Sequence, residues 1–521
     1  MISSIAFVLL GAAAASTPCE SLTSVKLDKA TITSARMVPE GPAPARGGGR
    51  GRAAAAGPQV AAAPQPAGAP RGGGNPPSAP ALIPAHCQLQ IVLKPTSDSL
   101  INMEMWLPPA DRWNGKFMGV GNGGFAGSIQ GLANDMPQAL RLGYATAGTD
   151  TGHQEQGGAW AIGHPEKMID FGYRATHEMT LKSKQLVKAF YDRSAEYSYF
   201  KGCSTGGRMA LMEAQRYPDD YDGIIAGSLA NRHIRMWTAG VARAIELARH
   251  PEGALTAEHA ALVNSLVTNT CDTLKEGFLN NPRACKVDFS TLRCKAGADA
   301  DNSCLTDPQV KTVTTFYEGV KNSKGELIFS GQALGNPIGP QRANTSQPGF
   351  PGGTFDLVRI AYNDPNVDWQ KFDLDRDMKF LDQKIGYVDA VNPDLSRFNS
   401  SGGKLLMTHG WSDTGITPET TIWYYDSVLN KMGRNQSDWM RLFMAPGMGH
   451  CGGGPGVNTF DSIGALEKWV EKGIAPDTMM GTGAQGLTRP LCQYPQFAEY
   501  KGTGDLKDAS NWSCKAPAPT R

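Results

Sequence analysis

The segment Gly202-Cys203-Ser204-Thr205-Gly206 constrains the fold more than any other stretch of the chain, because of what flanks it. Tyr197 to Phe200 reads as a short strand and Gly207 to Arg216 as a helix, so a G-x-S-x-G sequence falls on a strand-to-helix turn. Glycines on either side let the backbone reverse within a few residues. The serine hydroxyl is thereby lifted above a sheet edge, and the following N–H points into the same space. The bare string is weak, since a chain with 61 glycines produces it by chance. Its weight comes from the strand before it and the helix after it.

The surrounding pattern agrees with such a turn. Leu89 to Leu93 and Ile101 to Leu107 alternate as strands, and Lys116 to Val120 is a short apolar one. A helical pattern covers Asp170 to Tyr191, and Asp222 to Ala226 is again a strand. After a long interval, Lys404 to Thr408 and Trp439 to Ala445 resume the strand signal around a helix at Glu419 to Lys431. Strands alternating with helices predict an α/β class, with a doubly wound, mostly parallel sheet of the α/β-hydrolase kind. Between 229 and 399 the pattern loosens, with four cysteines, a helical run near Thr256 to Val267 and a Gly/Pro/Asn-rich stretch near Gly331 to Gly353. With 521 residues the chain exceeds what one core holds. The expected organisation is a catalytic domain over 16–228 and 400–521, with a large lid domain, 229–399, inserted over the carboxyl edge of the sheet.

A hydroxyl attacks only when a base removes its proton, so a histidine and an orienting acid must follow. Asp413 lies in the loop His409-Gly410-Trp411-Ser412-Asp413, just past one late strand. His450 lies in Gly447-Met448-Gly449-His450-Cys451-Gly452, just past the next. The order Ser204, Asp413, His450 is the one this fold requires. His409 is the rival base, but it precedes the acid and fits better as a hydrogen-bond partner to it; His153, His164 and His177 precede the nucleophile and are read as structural or rim residues. For the oxyanion hole Thr205 supplies one N–H. The loop Gly121-Asn122-Gly123-Gly124-Phe125 supplies the other, with Gly124 the choice and Gly123 next. Those glycines lack the Lys-Ser/Thr ending of a phosphate cradle.

Cys203 precedes the serine and Cys451 follows the histidine, so a bridge between them would tie the two loops at the reacting centre. It would close a loop whose chain entropy is worth on the order of 4–5 kcal/mol. The ten cysteines contain no tight C-x-x-C pair, which favours disulfides over a zinc ribbon or redox motif. An oxidising compartment follows, so the protein is expected to be secreted or periplasmic. Ile2 to Leu10 is an apolar run followed by small residues, which predicts a signal peptide over 1–15, although its start has no Lys or Arg. The run is too short to span a membrane. Residues 41–80 collapse to Gly, Ala, Pro and Arg and read as a disordered insertion. The net charge of +1 argues against a nucleic-acid partner, and the arginines of that insertion have no interleaved aromatics. The expected partner is small and neutral or weakly charged.

Together, Cys203-Ser204, Asp413 and His450-Cys451 resemble the arrangement of the tannase and feruloyl esterase family, which includes mono(2-hydroxyethyl) terephthalate hydrolase. The segments WNGKFMGVGNGGFAG, ATAGTDTGH, GHPEKMIDFGYRATHEMT, KGCSTGGRMALMEAQRYPDDYDGIIAG and APGMGHCGGG are similar to its members. The resemblance runs from Cys19 to Cys514, apart from 41–80. It implies a secreted hydrolase of aromatic-acid esters, with a small aromatic ester as partner; no cofactor is expected in this chain. It also implies the bridges Cys19–Cys87, Cys271–Cys285, Cys294–Cys304 and Cys492–Cys514. Feruloyl, galloyl and terephthalate monoesters stay open as substrates, as does a binding protein on an inactive hydrolase fold. Lid aromatics such as Trp237, Phe316, Phe355 and Tyr362 are candidates for the acyl pocket. Members often carry a calcium loop in the lid, but here Cys271 to Asn281 is short and places Lys275 near an expected carboxylate. An ammonium there opposes a cation that needs six to eight oxygens, so no metal is expected.

Overall fold

The computed structural model describes residues 17–42, 82–155, 157–295, 302–339 and 352–517. The signal segment 1–15 lies outside them, as does nearly all of 41–80. Gly41 and Pro42, assigned to that insertion on composition, instead pair with Leu82 and Ile83.

Nine strands form the sheet: β1 Ala30–Val38, β2 His86–Leu93, β3 Ile101–Leu107, β4 Lys116–Val120, β5 Ala145–Thr149, β6 Tyr197–Cys203, β7 Gly223–Gly227, β8 Lys404–Gly410 and β9 Met440–Ala445. Their spatial order is β1-β2-β3-β5-β4-β6-β7-β8-β9. The first three pair antiparallel, as β3 does with β5; every pairing from β5 to β9 is parallel. The order reverses between β4 and β6, the crevice where ligands bind in such sheets. Parallel strands covered on both faces must be apolar on both. Consecutive residues obey this: Phe117, Ile224, Leu405 and Leu442 join the core beneath helices Ala175–Tyr191, Thr205–Arg216 and Pro418–Met432. Their neighbours Met118, Ile225, Leu406 and Phe443 join the core beneath helices Asp135–Arg141 and Ser462–Lys472. The sheet is thus wound on both faces, as the alternation predicts.

Two sequence features end differently from their expected bounds. The helix expected from Asp170 opens with a π-turn over Asp170–Arg174 before the α-helix Ala175–Tyr191. The elbow helix begins at Thr205, directly after the serine. Between β7 and β8 the chain leaves the sheet and forms helices, among them His233–Arg249, Ala257–Cys271, Asp307–Glu318 and Leu374–Ile385, plus a small hairpin, Gly319–Lys321 with Leu327–Ser330. All ten cysteines are paired, as Cys19–Cys87, Cys203–Cys451, Cys271–Cys285, Cys294–Cys304 and Cys492–Cys514.

Candidate active site

Ser204 stands between β6 and the elbow helix at φ 66°, ψ −124°, a left-sided conformation that a non-glycine residue holds only when its surroundings enforce it. Its N–H donates to Gly227 O (3.0 Å) and its carbonyl accepts from Ala230 N (3.2 Å), so the ends of β6 and β7 enforce it. The glycines make room. A Cβ on Gly202 would collide with the Gly206 carbonyl, and one on Gly121 would lie 2.6 Å from Gly206 Cα. Elbow and oxyanion loop therefore touch backbone to backbone.

The two loops are also stitched by hydrogen bonds. Gly206 N donates to Asn122 O, and Thr205 Oγ1 donates to Gly124 O (2.6 Å). Gly123 N donates to Gln130 Oε1 (2.9 Å). Among the described residues the N–H groups of Thr205 and Gly124 have no acceptor. Thr205 is the first residue of its helix, where the N–H has no intrahelical partner. Gly124 sits at φ +58°, and a Cβ there would meet nothing within 4 Å, so this backbone borders open space.

On the other side, Asp413 is fully buried and His450 about one-third exposed. The imidazole engages the carboxylate through Nδ1, 2.9 Å from Oδ2 and 3.1 Å from Oδ1. Gly415 N and Ile416 N each donate to Oδ1 at 2.8 Å, and His409 Nε2 stands 3.1 Å from Oδ2. Burial opposes ionisation of Asp413, but the hydrogen bonds from His409 and His450 outweigh it and hold the carboxyl well below the usual range. The loops of acid and base are themselves joined by Ser412 N donating to Met448 O (3.0 Å).

The Cys203–Cys451 bridge, with Cα atoms 6.0 Å apart, fastens the base loop to the elbow. No hydrogen bond joins Ser204 Oγ to the imidazole among the described residues, and Nε2 is left without a partner. Such contacts commonly tighten only when substrate arrives. His153 stacks on Trp160 (3.8 Å), His164 contacts Asp98 (2.7 Å) and His177 contacts Asp220 (2.6 Å); none of them touches Ser204, Asp413 or His450. His409 does reach the acid, as expected.

The inserted segment closes on this site. Asn336 donates to the Asp413 carbonyl, Ser412 Oγ to Gly335 O (3.0 Å) and Thr417 Oγ1 to Gly331 O (2.6 Å). Of the four aromatics singled out from sequence, Trp237 lies 4.4 Å from Phe125, the residue after Gly124. Phe316 and Phe355 are ordinary core, and Tyr362 donates to Asp377 (2.6 Å). Asn122, Gln130 and Asn336 were not anticipated; a lone amide in an irregular segment leaves no periodic signal. The carboxylates of the segment Cys271 to Asn281 are engaged within the chain. Asp272 accepts Glu276 N (3.1 Å) and Gly277 N (2.7 Å), while Glu276 accepts from Arg489 (2.8 Å) and Asn280 (2.8 Å).

The family profile described as Tannase and feruloyl esterase matches residues 87–515. A probable feruloyl esterase B-2 of Aspergillus terreus is 33% identical over 82% of this chain and 86% of its own length. An uncharacterised esterase of Xanthomonas campestris is 32% identical over 97% and 92%. The crystal structure of feruloyl esterase B from Aspergillus oryzae superposes with a TM-score of 0.81 at 29% identity, covering 95% of this chain and 99% of that one. Elbow, acid and base thus occur in a chain that belongs to the tannase and feruloyl esterase family.

Proposed function

We propose that the protein is a serine carboxylester hydrolase acting on esters of hydroxycinnamic or hydroxybenzoic acids, feruloyl esters foremost. Ser204 Oγ attacks the ester carbonyl while His450 Nε2 takes its proton, and Asp413 fixes the tautomer through Nδ1. The N–H groups of Thr205 and Gly124 hold the oxyanion, each such donor being worth roughly 2.7–4 kcal/mol. His450 then protonates the departing alcohol, and water deacylates Ser204 with His450 again as base. No cofactor or metal enters these steps. Segment 229–399 acts as the lid, with Trp237 beside the acyl position. The five disulfides support export to an oxidising compartment.

One observation carries the reading: a covalent bridge joins the neighbours of Ser204 and His450 while the same imidazole engages buried Asp413 at 2.9 Å. Feruloyl esters rank first because relatives above 30% identity are named for that activity. The test compares hydrolysis of methyl ferulate, methyl gallate and a terephthalate monoester by the wild type and Ser204→Ala. Methyl ferulate is expected to turn over fastest, and the variant to lose roughly 10⁴–10⁶-fold in kcat. Undiminished turnover by Ser204→Ala sinks the mechanism, and faster turnover of gallate or terephthalate reassigns the acyl group.

A further inference from the structure

Helices His233–Arg249 and Asp307–Glu318, with Phe372 and Leu374, surround a hollow of about 700 Å³ in the inserted segment. None of its lining residues belongs to the elbow, the acid loop or the base loop. Its wall is two-natured. Ile245, Val320, Phe372 and Leu374 offer apolar surface, and Arg243 offers a cation.

Arg243 is the unusual member. It is half-buried, its Nε is wholly buried, and among the described residues that atom has no hydrogen-bond acceptor. Burial lowers the guanidinium to about 10, which leaves it charged at neutral pH. The neighbouring acids are engaged elsewhere: Glu246 with Lys311 (2.6 Å), Glu318 with Lys321 (3.3 Å), Glu252 with His250 (3.3 Å) and Asp307 with Arg293 (2.6 Å). The other lining arginine, Arg249, donates to Gln370 O (3.2 Å). A partly desolvated cation without a counter-charge is unfavourable, and a planar guanidinium matches a carboxylate through two parallel bonds. The hollow lies in the size range of small-molecule sites and far exceeds the volume of a bare inorganic anion.

We propose that this hollow binds a small organic anion, a carboxylate on a flat apolar body, with Arg243 gripping the carboxylate and the Phe372 side contacting the body. This site is separate from Ser204 and stands whether or not the ester chemistry does.

The test titrates benzoate, benzamide and inorganic phosphate calorimetrically into the full-length protein, Arg243→Gln and Arg243→Lys. Benzoate is expected to bind the wild type, about tenfold more weakly to Arg243→Gln, and with intermediate affinity to Arg243→Lys, which keeps the charge but loses the fork. Benzamide has the shape without the charge and phosphate the charge without the body; both are expected to bind more weakly than benzoate. Circular dichroism checks the fold of each variant, and unchanged ester hydrolysis separates this hollow from the reaction site. Absence of benzoate binding overturns the proposal. So does equal affinity in wild type and Arg243→Gln, or benzamide or phosphate binding as tightly as benzoate. If Arg243→Gln fails to fold, Arg243→Lys decides by the same comparison.

Discussion

At the scale of single residues, the acid end of the site is held by more than the base it serves. His409 Nε2 faces two acceptors, Asp413 Oδ2 at 3.1 Å and Ile416 O at 3.2 Å, so it carries the proton. Its Nδ1 meets Thr421 Oγ1 at 2.6 Å, and that oxygen also accepts Leu229 N (3.3 Å). These contacts hold the ring against Asp413. His409→Leu removes a donor to a buried carboxylate; kcat on the best ester is expected to fall about tenfold with KM within about twofold, and His409→Gln to recover part of the loss. Steady-state kinetics of the two variants check this. Ser204, Asp413 and His450 are legible in the sequence because each follows a strand whose apolar pattern announces its end. Gln130, which takes up the Gly123 N–H, is not, since its contact depends on a loop fold that no pattern encodes.

At the scale of elements, β6 and its helix could be read because Tyr197–Cys203 is apolar and followed by glycines. β5, Ala145–Thr149, escaped: Ala-Thr-Ala-Gly-Thr has few of the branched or aromatic residues that mark strands, yet all five are buried at the sheet centre. β1 escaped for the opposite reason, being an edge strand with Ile32 its one buried residue. The back of the elbow helix offers a prediction of its own. Glu213 is buried there with both oxygens lacking a donor, near Asp220 and His177. Burial, then the neighbouring Asp220 carboxylate, holds its carboxyl well above the usual range. Above the ordinary pKa of about 4.3, the folded chain therefore keeps a proton that the unfolded chain has released. This contribution to stability is complete below that value and declines as pH rises towards the raised one, by about 1.4 kcal/mol per pH unit. Glu213→Gln mimics the protonated form, so the stability of wild type minus variant is expected to decrease from pH 5 to 8 in urea titrations. A constant difference would show that Glu213 is ionised in the folded state.

At the scale of the whole molecule, segments distant in sequence meet through the sheet, the bridges and the hydrogen bonds of residues 331–336 to the acid loop. The doubly wound plan was legible from the alternation of strands and helices, whereas the packing of residues 331–336 against the acid loop was not, because that stretch is irregular and polar. Cys203–Cys451 closes the widest loop, 248 residues. Replacing both cysteines by alanine is expected to cost on the order of 5 kcal/mol of stability. It should also lower kcat more than KM, since the base loop loses its tether; thermal denaturation and kinetics of the double variant test both. The same tether has a bearing on when the chain becomes competent. The serine is made long before the histidine, and translation of both still leaves the clasp open until an oxidant removes two electrons from the pair. Activity is thereby coupled to redox surroundings, and a copy retained among reducing thiols would hold every residue of the machinery without its final fastening.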